Sequence, residues 1–139
     1  MVFQNRAMSE IFMLRKDEIQ IGNWLRYTLD GKYCTVRSIG EYIHMDGALS
    51  NFQCKIWELS PIKINNEMPT LFGFKPGSSG FSKSINQIKL NLRFDIDNNA
   101  ELWSNDVYIQ EVPFVHQLQN CYYDITSEFL EGNLYGSPV

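Results

Sequence analysis

Residues 88–97 read IKLNLRFDID, and their alternation decides the fold class. Leu90, Leu92, Phe94 and Ile96 fall on one side of an extended chain; Lys89, Asn91, Arg93, Asp95 and Asp97 fall on the other. A period of two marks a half-buried strand, because successive side chains point to opposite faces of a sheet. DNNA at 97–100 then turns the chain into ELW at 101–103, and VYIQEV at 107–112 predicts a further strand. Strands joined by turns this short make a β-meander.

Working upstream, the same signals recur. IQIGNWLRY at 19–27 reads as an extended lead with a Gly22-Asn23 turn. Asp30-Gly31 lies between WLRYTL and KYCTVRSI, a hairpin signal because Gly accepts the positive φ such a turn requires. Within YCTVRSI, Cys34 and Val36 share one face. A strand at 41–45 is turned by Asp46-Gly47, and FQCKIWEL puts Phe52, Cys54 and Ile56 on one side. Short strands with close turns predict a curled antiparallel sheet or a partly open small barrel. In PIKINNEMPTLFGFKP, at 61–76, Asn65 or Asn66 caps a short central helix ending near Gly73, and Pro69 holds it to a turn or two. PGSSG at 76–80 reads as a flexible loop; it lacks both the Lys-Ser/Thr of a P-loop and the GxGxxG spacing, so no phosphate site is assigned to it.

Downstream, FVHQLQNCYYDITSEFL at 114–130 switches to a period near 3.6. Val115, Leu118, Tyr122, Ile125 and Phe129 make an apolar stripe; His116, Gln119, Asn120, Tyr123 and Ser127 make a polar one. Pro113 suits the start of an amphipathic helix and Gly132-Asn133 its exit. The expected architecture is therefore α+β: curled sheet, short central helix, meander and C-terminal helix. With 139 residues, 44% of them hydrophobic, residues 19–139 are expected to form one domain behind a flexible or short helical lead at 1–18.

Charge is unevenly spread. Residues 1–93 hold all 12 Lys and Arg against 8 acids, while residues 94–139 hold 8 acids and no Lys or Arg. The last third projects a negative field that repels nucleic acid and attracts basic surfaces. No run of 18 apolar residues is present and the N-terminal stretch lacks a signal-peptide pattern, so a cytoplasmic location and no membrane contact are expected. Cys34, Cys54 and Cys121 are odd in number and form no metal-ligand spacing, so they read as reduced, partly buried thiols.

His116 and Cys121 are five apart, which turns them away from each other on a helix, so they make no nucleophilic pair. Asp95, Asp97, Asn99 and Asp106 match positions of a calcium loop, but Ala100 stands at the glycine position and the flanks read as strands. A hairpin turn explains them, and no metal, cofactor or catalytic residue is assigned. Lys32, Arg37, Lys55 and Trp57 are the candidates for a nucleic-acid face, against an overall acidic balance.

IQIGNWL, PIKINNEMPTLFGF and FVHQLQNCYYDITSEFL, in this order, resemble a group of small uncharacterised proteins carried by phages, prophages and mobile elements of Bacteroidetes-type bacteria. The resemblance runs from about Ile19 to Leu130; it is closest at Ile21-Gly22-Asn23, at Gly73-Phe74 and over 115–120, and Cys121 departs from the aliphatic residue usual there. It transfers no activity and no site residue. What it implies is context: a small, accessory, cytoplasmic protein of a mobile element. Together with the acidic last third and the lack of a catalytic constellation, that context leads us to expect a non-catalytic protein acting by protein–protein binding, an inhibitor or modulator of a bacterial defence nuclease in the manner of anti-CRISPR proteins. The alternatives are a nucleic-acid-binding module and a phage structural or assembly protein. The expected partner is a protein with a basic surface, such as a nuclease or ribonucleoprotein. The residues expected to meet it are Asp95, Asp97, Glu101, Asp106, Glu111, His116, Gln119, Asn120, Tyr123, Asp124, Glu128 and Glu131.

Overall fold

The computed structural model describes residues 13–135, and the expectations for residues 1–12 lie outside the described residues. The fold is α+β: among the described residues are ten strands in two antiparallel sheets and one α-helix. The chain packs as two compact units dividing between Pro61 and Ile62, each with its own sheet.

In the first unit, β1 (Trp24–Tyr27) and β2 (Tyr33–Ile39) form the expected hairpin, with Leu25 opposite Cys34. Gly31 takes φ 73° and donates its N–H to the Tyr27 carbonyl at 2.8 Å, while the Asp30 carboxylate accepts the Lys32 N–H at 2.9 Å. β3 (Ile43–Asp46), β4 (Asn51–Cys54) and β5 (Leu59–Ser60) complete a curled sheet in the order β4-β3-β2-β1-β5. A bulge between Val36 and Ser38 disturbs the β2–β3 register and adds local bend. Cys34 and Val36 face inward as their alternation predicts, joining Leu25, Ile43, Met45 and Leu59. Each such aliphatic side chain removed from water stabilises the fold by roughly 1.5–3 kcal/mol. Leu14 and Ile19 lie in the same core on either side of a 3-10 turn at Lys16–Glu18, so the lead is anchored from Leu14 onward.

In the second unit, β6 (Lys75–Gly77), β7 (Gly80–Ile85), β8 (Ile88–Phe94), β9 (Ala100–Ser104) and β10 (Val107–Glu111) follow in simple meander order. Asn and Asp supply most of the tight turns: Asn86, Asn98, Asn105 and Asp106 all have positive φ, which their short polar side chains tolerate. PGSSG is part of this sheet and not a flexible loop; Gly77 pairs with Gly80 and only Ser78 and Ser79 turn the chain. Gly80 holds φ 117°, and a Cβ there would stand 2.5 Å from the Leu92 carbonyl oxygen.

Leu90 and Leu92 are buried as expected, but Ile96 is 97% exposed because the strand ends at Phe94 and Ile96 sits in the turn. Asn91, expected outward, is buried and donates from Nδ2 to the Phe81 carbonyl at 3.5 Å. The short central helix is a 3-10 turn, Pro69–Phe72, ended by Gly73 at φ 86°. Asn65 opens it by accepting the N–H groups of Glu67 and Met68 at 2.9 and 3.1 Å.

Helix α1 (Val115–Thr126) begins two residues after Pro113. Its first N–H, from Val115, goes to the Ile62 carbonyl at 2.8 Å, and the Gln117 side chain accepts the Phe114 N–H at 3.2 Å. These bonds satisfy donors that a helix start leaves without intrahelical partners. Lys83 ties the helix to the sheet, its ammonium 5.2 Å from the Tyr122 ring and 3.0 Å from the Phe72 carbonyl oxygen. The helix stops earlier than Gly132-Asn133: Ser127 takes the left-handed φ of 63°, and Thr126 donates its hydroxyl to the Tyr122 carbonyl at 2.8 Å. Phe129 therefore leaves the expected apolar stripe and is exposed, stacked on Tyr123 with ring centres 5.1 Å apart.

Gly80→Ala is expected to destabilise the protein by about 2 kcal/mol or more, from positive-φ strain and a forced backbone contact. Gly40→Ala, whose Cβ meets nothing nearer than 3.8 Å, is expected to stay within about 0.5 kcal/mol. Urea unfolding of the two variants checks both values.

Candidate functional site

The outward face of β8–β9–β10 gathers most of the chemistry-bearing side chains of the second sheet. The two-residue turn at Asn105-Asp106 places Tyr108 opposite Trp103, and their rings meet edge to face at 5.5 Å and 73°. On the next strand the Arg93 guanidinium lies 4.0 Å from the Trp103 ring centre. The cation is attracted to the negative face of the indole, and the T-shaped ring pair adds a favourable edge–face contact. Arg93 also lies 3.8 Å from Asp106, while its Nε is buried without a hydrogen-bond acceptor.

Beside these rings three carboxylates converge. Asp95, Glu101 and Glu111 each offer an oxygen, and these atoms all lie within 4.8 Å of one another. Register explains the meeting: Glu101 stands opposite Arg93 on one side and Glu111 on the other. Asp95 is held in place by its own turn, where one carboxylate oxygen accepts the N–H groups of Asp97 and Asn99, both at 2.9 Å. Glu101 accepts from the Trp103 indole N–H at 3.3 Å. The Tyr108 phenol is pushed up by desolvation first, then by the negative charges of Glu111, Glu101 and Asp95. Such a cluster attracts a cationic group, whether an ammonium, a guanidinium or a metal ion.

Of the residues expected to meet a partner, Asp95, Glu101, Glu111 and Asp106 belong to this face. Asp97 is exposed in the adjoining turn. Tyr123, Asp124, Glu128 and Glu131 are exposed on α1 or after it, and Glu128 accepts from the Asn86 amide at 3.3 Å. Asn120 is half-buried. His116 and Gln119 are a correction: both are buried, so neither offers a contact surface. The buried face of α1 is wider than one stripe and takes in Val115, His116, Leu118, Gln119, Cys121 and Tyr122. Trp103, Tyr108 and Arg93 were missed as site residues. Their signal was the Asn-Asp turn, which sets residues on either side of it against each other.

The buried reactive groups are quiet. Burial pushes the Cys34 thiol up to about 12 and the Cys54 thiol up to about 11, and Cys121 is raised by the same cause. Thiols in that condition are protonated near neutral pH, whereas nucleophilic attack requires thiolate. The calcium-loop spacing is broken by the sheet, since Asp95 serves its turn at one end of β9 while Asp106 faces Arg93 at the other.

His116 is 1% exposed, its Nδ1 has no hydrogen-bond partner, and desolvation pushes its pKa down to about 4 from 6.5. Between those values the unfolded chain binds a proton that the folded protein excludes. Stability is therefore unaffected by this group above pH 6.5 and falls as pH drops toward 4, by an amount on the order of 3 kcal/mol. His116→Leu is expected to flatten that part of the profile, which unfolding measured at a series of pH values checks. Native-state alkylation of all three cysteines is expected to be slow and to accelerate on unfolding, as counted by mass spectrometry.

Compared with protein-family models, curated proteins and solved structures, the chain finds no match.

Proposed function

We propose that this chain is a non-catalytic accessory protein of a phage or mobile element, which binds a basic protein surface through the acidic, aromatic face of its second sheet. Within that class its partner is a bacterial defence nuclease or ribonucleoprotein, which it inhibits or modulates in the manner of anti-CRISPR proteins. The observation that carries the binding mode is the convergence of Asp95, Glu101 and Glu111 beside Trp103 and Tyr108. Aromatic anchors flanked by charge are the usual energetic centre of a protein interface, and a single-sign field steers an oppositely charged partner onto it. The resemblance of IQIGNWL, PIKINNEMPTLFGF and FVHQLQNCYYDITSEFL to mobile-element proteins supports the biological setting. High thiol pKa values and the burial of His116 support a non-catalytic reading.

The division of charge agrees with this choice of face. Residues 1–61 hold 7 Lys and Arg against 7 acids, so residues 62–139 carry the whole net charge of −4. Among the described residues no helix is long and apolar enough to cross a membrane.

One observation favours nucleic-acid binding as a second reading. Lys55 sits 4.2 Å from the Tyr42 ring and 5.7 Å from that of Trp57, which is 64% exposed. Exposed rings beside a cation stack unpaired bases, each worth about 1–3 kcal/mol. Against it, Arg37 is paired with Asp46 at 2.9 Å and Glu41 lies 4.0 Å from Lys55.

Mixing the protein with candidate nucleases and following cleavage and co-elution tests the first reading. Reversing charge with Glu101→Lys and Glu111→Lys together is expected to weaken binding by at least about tenfold and to reduce its salt dependence. Unchanged cleavage and no co-elution at micromolar concentration remove a given nuclease from consideration. For the second reading, salt-dependent binding of single-stranded DNA that Trp57→Ala abolishes is the expected sign.

A further inference from the structure

We infer that the outer edge of β10 is a strand-addition site, at which an extended lysine- or arginine-bearing segment of a partner protein pairs as a sixth strand of the second sheet. The inference rests on the acidic-face reading above and specifies how that face engages a protein.

β10 is the last strand in the order β10-β9-β8-β7-β6, so among the described residues nothing pairs with its outer side. All five of its residues are exposed, including Val107 at 62%, Tyr108 at 47% and Ile109 at 39%. An edge that shows apolar side chains and open backbone groups together is a template for another strand. The phase of the ladder shows which groups are open. Val112 donates to the Ala100 carbonyl at 2.8 Å, and antiparallel pairs alternate between hydrogen-bonded and open. Glu111, opposite Glu101, therefore turns its N–H and carbonyl to the outer side, where the carbonyl accepts from the Gln110 side-chain amide at 3.4 Å, a bond an incoming strand would replace; Tyr108, opposite Trp103 across the bulge at Ile109, is turned the same way. The bulge keeps the added segment short, since a long flat strand cannot follow the bend.

Charge selects the occupant. Edges are commonly protected by lysine, yet β9 and β10 contain no Lys or Arg. Glu111 lies on the edge itself, within 4.8 Å of Asp95 and Glu101. A second copy of this chain would set these carboxylates against their own kind, which opposes homotypic pairing. A strand with cations on its outward-facing positions places them among the three carboxylates while its backbone pairs with Tyr108 and Glu111. The opposite edge is closed to the same reaction: β6 is three residues long, and Pro76 has no N–H to donate.

The test uses the full chain, isotopically labelled, with short synthetic peptides alternating lysine and valine or glutamate and valine. Backbone amide exchange is read by NMR. The lysine peptide is expected to bind, more weakly as salt rises, and to slow exchange at Tyr108 and Glu111 by at least about tenfold, with no change in β6. The glutamate peptide is expected not to bind. Val107→Lys with Ile109→Lys, both at exposed positions, is expected to weaken binding by at least about tenfold while leaving the spectrum of the fold intact. Binding of the lysine peptide without slowed exchange at Tyr108 and Glu111 overturns strand addition and leaves the acidic-face reading standing. Equal binding of both peptides, or of neither, overturns the edge as a docking site. The charge-reversal assay with Glu101 and Glu111 then judges the acidic face separately. Slow exchange at these amides in the free protein, growing with its concentration, shows a second copy on the edge and overturns the inference.

Discussion

The register between β8 and β9 is the constraint on which the second unit depends. It is set at the Asp95 turn, where one carboxylate oxygen holds two backbone N–H groups and the Asn98 N–H returns to the Asp95 carbonyl at 2.8 Å. That turn puts Arg93 opposite Glu101 and Leu92 opposite Leu102. A slip of one residue would send Leu90 and Leu92 to the outward face and bring Lys89 and Arg93 inward. The same turn thus selects both the apolar inner face and the acidic outer one. Asp95 also has its own carboxylate among the three that converge outside, so one side chain serves turn and surface together.

The first unit has no such single pin. Its curl comes from several short strands, a Gly31 hairpin and a bulge in β2, with Leu14 and Ile19 filling the core from outside the sheet. Its net charge is zero and the second unit holds the excess, so the two differ in electrostatic character as well as in fold. Lys55 with Tyr42 and Trp57 is the main aromatic and cationic feature of this neutral half.

Most of the strands were legible because alternation and turn residues agreed, as at YCTVRSI with Asp30-Gly31 and IKLNLRF with its flanking Asn residues. What local pattern could not show was decided by contacts distant in sequence. Asn91 is buried although its neighbours alternate, because Phe81 on the adjoining strand offers it a carbonyl. Gly132 looked like a helix exit, but its lack of a side chain lets the chain approach Phe72, where a Cβ would lie 2.4 Å from the ring. The helix had already ended at Ser127 through the Thr126 hydroxyl, a competition between side chain and backbone that periodicity does not register. Acidic residues were legible as a block, and the sheet sorted them. Register brought Asp95, Glu101 and Glu111 together across three segments, while the wide buried face of α1 took His116 and Gln119 out of reach. The division at Pro61 left no mark in apolar or turn residues, since both halves mix strands, turns and aromatics, and only the charge balance differs between them.

The two borders of the second sheet are unlike, one a proline-bearing strand of three residues and the other a fully exposed strand of five. Growth of a sheet into a fibre needs two competent borders, so that each added copy offers a fresh template to the next. Here a copy that docked by its open border would present only the proline border outward. Extension through this sheet is therefore self-limiting.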